Sequence, residues 1–422
     1  MIFSRLNKLA ATLVLIAAWS GCGDTFRPVA IPITPNPPNP AAFHYMLVLT
    51  QNGTGDPGAG SRIDVSGDTN VGNAKLGLGP VHATLLPNGT RIYATNMLED
   101  TVSSYAPGTP TTVTTIALPQ GSVPVFAATT QNDFVFVANS GSNTVSAIST
   151  ASNVVVTNPA IPVGVSPIAL VELPNASKLY SVNQGSGDVT AINAVDRTAG
   201  VTIATGSAPV WAIARSDSAR VYVLNSGSGT VSTIDTTTDT NLNVDVSVGA
   251  GANYMAYDRT FNRLYVTNPA AGTVSAFDVS SDPPKALSWS GLAIKDSLGA
   301  AAVPASIAVL PNGTRAYIAS ATVSGTPLVT IINTSDGSQR SVISLSRATM
   351  SCTGVRFSLF AAADPGGTRV YVGNCSAGNT SIINTLSDSL VLNLPAPPSA
   401  APPPVPGAGP PPQNPVFIMT GS

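Results

Sequence analysis

One short pattern recurs along the chain at nearly constant spacing and limits the fold more than any other feature. Arg91 to Asn96 (RIYATN) is followed by Phe134 to Asn139 (FVFVAN), Lys178 to Asn183 (KLYSVN), Arg220 to Asn225 (RVYVLN), Arg263 to Asn268 (RLYVTN), Arg315 to Ser320 (RAYIAS) and Arg369 to Asn374 (RVYVGN). The central aromatics Tyr93, Phe136, Tyr180, Tyr222, Tyr265, Tyr317 and Tyr371 stand 43, 44, 42, 43, 52 and 54 residues apart. A weaker eighth copy, MLVLTQN, spans Met46 to Asn52. Self-similarity at a period of this length marks a repeat architecture.

Each unit has one internal order. An apolar strand comes first (Val81 to Leu86, Ser306 to Leu310), then a turn (Pro87 to Gly89, Pro311 to Gly313), then the aromatic strand. A turn rich in Gly, Ser and Asn leads to a third strand that opens on Thr101-Val102, Thr144-Val145, Asp188-Val189, Thr230-Val231 or Thr273-Val274. A looser fourth strand returns, as over Asn241 to Val246. Period-two alternation, β-branched residues and Pro/Asn/Gly turns predict antiparallel strands. Charged residues are 9% of the 422, about a third of the usual ~25%. The polar surface therefore falls to Ser, Thr, Asn and Gly, which suits strands and turns better than solvent-facing helices. Four strands in 43 residues make a β-propeller blade.

The copy from Tyr222 to Asp235 (YVLNSGSGTVSTID) resembles the repeat of the YVTN-repeat β-propeller family of bacterial and archaeal surface proteins. The resemblance covers about residues 43–422 and implies a fold without implying an activity. The first copy has no inner strand before it, and Pro415 to Thr420 supplies a strand pattern at the other end. A ring closed by pairing that C-terminal strand with the N-terminal strands covers the edge the first copy would otherwise leave and ties the chain ends together. The expected fold is all-β: a single β-propeller of four-stranded antiparallel blades, eight in number, or seven if the weak first copy forms none. Extra length gathers at 282–302, 340–353 and the Pro-rich 395–412, and long insertions on a rigid scaffold are where recognition tends to sit.

Residues 1–21 read as an export signal, with Arg5 and Lys8 before an apolar Leu9 to Ala18. Trp19-Ser20-Gly21-Cys22 resembles the lipobox of bacterial lipoproteins, with Trp19 where Leu is usual. That resemblance implies diacylation of Cys22 and anchoring at the envelope, on the outer membrane or periplasmic side, since two or three acyl chains hold stably. The alternative is an ordinary signal or an uncleaved anchor in which Cys22 is incidental. Residues 22–42, with Pro28, Pro32, Pro35, Pro37, Pro38 and Pro40, form an extended tether.

Removing residues 1–21 takes away two cations and no acid, leaving 17 basic against 21 acidic side chains. Such a balance argues against nucleic acid as a partner. Two His and three Cys leave little for a metal centre or a His-based active site, so neither metal nor cofactor is expected. Cys352 and Cys375 flank the last unit on one rim, where a disulfide is plausible in an exported protein. The repeated Asn (Asn96, Asn139, Asn183, Asn225, Asn268, Asn374) is expected to hold a turn and bond its own loop backbone, the alternative being a ligand ring. Asp56, Asp64 and Asp68 invite a calcium reading, but their spacing matches no known loop. Gly79-Pro80-Val81-His82 looks like a segment of the propeller lactonases, with Val81 where that family has Arg, so His82 is a weak catalytic candidate. The expected function is a non-catalytic, envelope-anchored scaffold. It would be a monomer that binds an envelope protein or cell-surface glycan and touches the membrane only through its lipid. The alternatives are a lactonase-like hydrolase and a self-associating surface-layer component.

Overall fold

A computed structural model describes residues 45–51, 55–346, 352, 358–399 and 412–420. The signal, Cys22, the tether and most of the Pro-rich 395–412 stretch lie outside the described residues. Strands form eight separate antiparallel sheets, the blades of a single β-propeller. Blade 1 combines Tyr45–Gln51, Pro57–Asp64 and Thr69–Leu78 with the C-terminal Asn414–Thr420. The others follow in chain order: blade 2 from Pro80 to Ala117, 3 from Pro124 to Pro162, 4 from Pro167 to Ala204, 5 from Pro209 to Ser247, 6 from Tyr254 to Ala293, 7 from Ala302 to Ser344 and 8 from Leu359 to Pro395.

The inner strands of successive blades lie side by side around the axis. Asn414–Thr420 is the inner strand of blade 1, pairing Met46 with Thr420 and Gln51 with Asn414, and it stands between the inner strands of blades 8 and 2. The ring therefore closes at eight. We call the rim where the second strands end, at the repeated Asn, the upper rim. Tyr45, which starts a second strand, lies at the lower rim.

Blades are held together by the repeat itself. Tyr93, Phe136, Tyr180, Tyr222, Tyr265, Tyr317 and Tyr371 are all fully buried. Several of their hydroxyls donate to the next blade: Tyr93 to Asn153 (2.8 Å), Tyr180 to Asp239 (2.6 Å) and Tyr317 to Asp388 (2.6 Å). The cation two residues earlier reaches the same acid, as Lys178 does Asp239 and Arg315 does Asp388, both at 2.6 Å. Between blades 8 and 1 the equivalent Arg369 meets Asp68 at 3.1 Å. In blades 4 and 7 one aromatic and one cation thus join a unit to its neighbour through both area and charge, whereas blade 3 carries Phe134 at the position of the cation.

Two local expectations need correction. The fourth strand is broken in blades 3, 5 and 6, where Thr240–Asn241 and Val246–Ser247, for example, pair separately with the third strand. Nothing pairs on the outer side of this edge, so a break there removes few hydrogen bonds. The supposed 282–302 insertion is partly this broken edge, Lys285–Ala286 and Leu292–Ala293, and only the segment up to the Lys295–Ala301 bridge projects. Arg340 likewise lies inside the outer strand Gln339–Ser344 of blade 7. Among the described residues no helix is long and apolar enough to cross a membrane.

Candidate functional site

A Pro-x-aromatic step opens several inner strands: Pro80-Val81-His82, Pro124-Val125-Phe126, Pro209-Val210-Trp211 and Pro415-Val416-Phe417. Proline has no N–H to give to the ladder. At each of these steps the register shifts by a bulge, which re-aims the following side chain. Through the pairings His82–Thr95, Phe126–Ala138, Trp211–Leu224, Tyr254–Thr267, Phe360–Gly373 and Phe417–Leu49, six aromatic residues share one register position, just before the repeated Asn or its substitute. Blades 4 and 7 place the small Ala169 and Ser306 there.

These six side chains meet. Ring centroids lie 3.6 Å apart for His82–Phe126, 5.6 Å for Phe126–Trp211, 5.0 Å for Trp211–Tyr254, 5.4 Å for Tyr254–Phe360, 5.1 Å for Phe360–Phe417 and 4.3 Å for Phe417–His82. The contacts return to their start, so the rings encircle the axis as a collar. Stacked, tilted and edge-on pairs all occur, each contributing about 0.5–1.5 kcal/mol beyond the area it buries. Phe126 and Phe360 are buried; His82, Trp211, Tyr254 and Phe417 are half-buried.

His82 is therefore the blade 2 member of an aromatic series. Its Nδ1 accepts from the Ala127 N–H at 3.3 Å, which places its proton on Nε2, and Phe126 and Phe417 flank the ring. A general base needs a free lone pair and a partner to orient it. Here the Nδ1 lone pair is taken by backbone and the ring is held by stacking.

The repeated Asn side chains are at most 1% exposed, so they form no ligand ring open to solvent. Their bonding also departs from expectation. Asn96, Asn139, Asn183 and Asn225 end their strands and donate from Nδ2 across the hairpin, Asn225 to Thr230 (3.1 Å) and Ser232 (2.9 Å), Asn183 to Asp188 (2.7 Å) and Thr190 (2.9 Å). Asn268 and Asn374 do bond loop backbone, at Val248 and Ser346. A loop glycine from the preceding connection lies over several of them: a Cβ on Gly164 would stand 2.7 Å from Asn183 Nδ2.

The three acids of blade 1 are not gathered. Asp56 accepts from Ser399, Asp64 from Ser66, and Asp68 from Arg369. Among the described residues no group of three His, Cys, Asp or Glu is placed to hold a metal ion. The structure joins Cys352 and Cys375 in a disulfide with Cα atoms 5.9 Å apart, on the upper rim of blade 8. Sequence reasoning passed over Glu172, which ends the inner strand of blade 4, where blade 2 has Leu85 and blade 5 Ala214. It is 4% exposed and accepts from Thr130 N (2.6 Å) and Gln131 Nε2 (2.7 Å) of blade 3. Burial pushes its carboxyl up to about 7 against the pull of those donors.

No protein-family model and no curated protein sequence matches this chain. Solved structures do resemble it. The dihydro-heme d1 dehydrogenase NirN superposes with a TM-score of 0.66 at 11% identity, over 84% of this chain and 73% of that one. A candidate 6-phosphogluconolactonase from Bacteroides uniformis gives 0.56 at 14%, over 89% and 98%, and the hydrazine synthase of Kuenenia stuttgartiensis gives 0.53 at 17%, over 73% and 96%. Proteins this divergent share a fold and need share nothing else. What the chain has in common with them is the β-propeller.

Proposed function

We propose that the protein is a non-catalytic binding scaffold of the YVTN-repeat type, held at the cell envelope by lipid on Cys22, with a protein or cell-surface glycan bound at its upper rim. The observation that carries this reading is the setting of His82. The one residue that suggested lactone hydrolysis occupies the aromatic slot of the repeat, stacked between phenyl rings with Nδ1 committed to backbone. Recognition at the upper rim is supported by blade 7. Its loop residues Leu298 and Val323 are 92% and 81% exposed there, beside the rim that carries the Cys352–Cys375 disulfide. Tyr45, where the first described strand begins, lies at the lower rim, opposite these loops. Low charge and abundant hydroxyls fit contacts made by hydrogen bonds more than by electrostatic steering.

The test is a pull-down from envelope extract with the wild-type chain and with a Leu298→Asp, Val323→Asp double variant, beside a lactone hydrolysis screen of wild type and His82→Ala. A partner retained by wild type and lost by the double variant is expected. Hydrolysis that disappears in His82→Ala would replace the scaffold by the lactonase-like reading. Bait that recovers only copies of itself would favour the surface-layer component.

A further inference from the structure

Blades built from one repeat compete for the same joints, because most units present nearly the same face to the next. Where the third strand turns into the fourth, at the lower rim, one residue takes a left-handed backbone: Asp68 (φ +50°), Asn153 (+53°), Asp239 (+53°), Gly337 (+72°) and Asp388 (+49°). Asp, Asn and Gly adopt that backbone at least cost. The three acids and Asn153 also accept from the preceding blade: Asp239 from Lys178 and Tyr180, Asp388 from Arg315 and Tyr317, Asp68 from Arg369 and Asn153 from Tyr93.

Blade 4 breaks this rule. Its left-handed residue is Arg197 (φ +59°), a type that adopts this backbone less readily. The guanidinium lies 4.6 Å over the ring of Phe134 in blade 3, and its Nη1 donates to the Val195 carbonyl (3.0 Å). Blade 3 departs from the repeat at the same joint. Of the seven strong copies it alone carries phenyl groups, Phe134 and Phe136, where the others have a cation and a tyrosine. Alternate residues of a strand share a face, so both rings turn toward one neighbour. Two exceptions in different units therefore meet and compensate each other. An acid at position 197 would face phenyl rings and find no donor. A cation and a tyrosine at 134 and 136 would set like charges together and leave a hydroxyl without its acceptor. Slipping by one blade has the same cost. Blade 2 placed against blade 4 would bring Arg91 to Arg197, and blade 3 placed against blade 5 would bring Asp239 to two phenyl rings.

We propose that this swapped pair is a key between blades 3 and 4. It matches these two blades to each other, mismatches each with the next blade along, and so fixes blade order as the ring assembles from similar units. The key works whatever the ring binds.

The experiment uses the chain from residue 22 with Cys22→Ser, which keeps all eight blades, since their strands lie within 45–420. Three variants are compared with it: Arg197→Asp, the pair Phe134→Lys with Phe136→Tyr, and all three substitutions together, which copy the Lys178, Tyr180 and Asp239 arrangement of the next joint. Guanidinium unfolding gives the stability, and size exclusion after refolding by dilution gives the yield of monomer. Each half-swap should raise the unfolding constant about 10-fold or more and lower the monomer yield, and the triple variant should recover both. Phe136 is fully buried, so the larger swaps risk giving no folded protein. The milder Arg197→Gln and Phe134→Leu, alone and together, then decide, with an expected coupling of about 3-fold in the unfolding constant. The proposal is overturned if the triple variant loses as much as the two half-swaps combined, or if Arg197→Asp is as stable as wild type through relief of its backbone. Half-swaps that refold to monomer as well as wild type, or a mild pair without coupling, would overturn it equally.

Discussion

At Asn225 the repeated polar residue does its work sealed from water, donating to Thr230 and Ser232 across the hairpin. Asn225→Ala leaves those hydroxyls without their buried donor and should cost about 1–3 kcal/mol. Guanidinium unfolding would measure it, and a loss below about 0.5 kcal/mol would show that the clasp contributes little. The residue type was legible in the repeat. Its partners were not, because they lie on a strand whose register only the folded sheet defines. Glu172 makes a second case. Below its ordinary value of 4.5 both folded and unfolded chains hold the proton. Between about 4.5 and 7 the unfolded chain releases it while the folded chain keeps it, so stability falls as pH rises through this window. The drop due to this carboxyl is about 3 kcal/mol. Glu172→Gln should flatten that pH slope, as denaturant midpoints at pH 4.5 and 7.5 would reveal. Equal slopes in both proteins would clear Glu172 as the source.

Single contacts become elements where blades adjoin. Arg369 and Asp68 lie 301 residues apart in sequence and form the ion pair between the last blade and the first, at 21% and 10% side-chain exposure. A pair this sheltered is screened less than an open surface pair. The coupling energy from a double-mutant cycle of Arg369→Gln and Asp68→Asn should be about 1–3 kcal/mol. Coupling near zero would mean that the buried Tyr371 and the strand pairing alone hold this joint. The disulfide joins cysteines 23 residues apart and so closes a loop that contains the inner and second strands of blade 8, Leu359–Ala363 and Arg369–Asn374. Reduction should lower stability by about 3 kcal/mol through the freedom returned to the unfolded chain. A Cys352→Ser, Cys375→Ser variant must show the same loss and no further response to reductant. Inner, second and third strands were readable because alternation and turn residues agree there. The outer strands were misjudged, because one unpaired edge permits breaks that periodicity does not report.

On the scale of the whole molecule, Asn414–Thr420 completes blade 1 and lies between the inner strands of blades 8 and 2. A chain ending at Gln413 would expose Leu47, Leu49 and the edge of Tyr45–Gln51, and it should purify as aggregates instead of a monomeric ring. A monodisperse truncated protein with the full melting temperature would show that closure is dispensable. The repeat period, the turn chemistry and the orphan C-terminal strand were enough to predict a closed ring of eight or seven blades, because blade size and edge avoidance follow from local pattern and hydrogen-bond satisfaction, and the pairing of Asn414–Thr420 with Tyr45–Gln51 decided for eight. The motif Pro-Val-aromatic was also present in the sequence, but read one unit at a time it made His82 look like an isolated catalytic remnant. Only closure of the ring brings the four aromatics of that motif, together with Tyr254 and Phe360, to neighbouring centroid distances of 3.6–5.6 Å and turns scattered aromatic residues into a collar. Strands are made by neighbours in sequence; what the inner strands present to one another is decided by how many blades close and at what register.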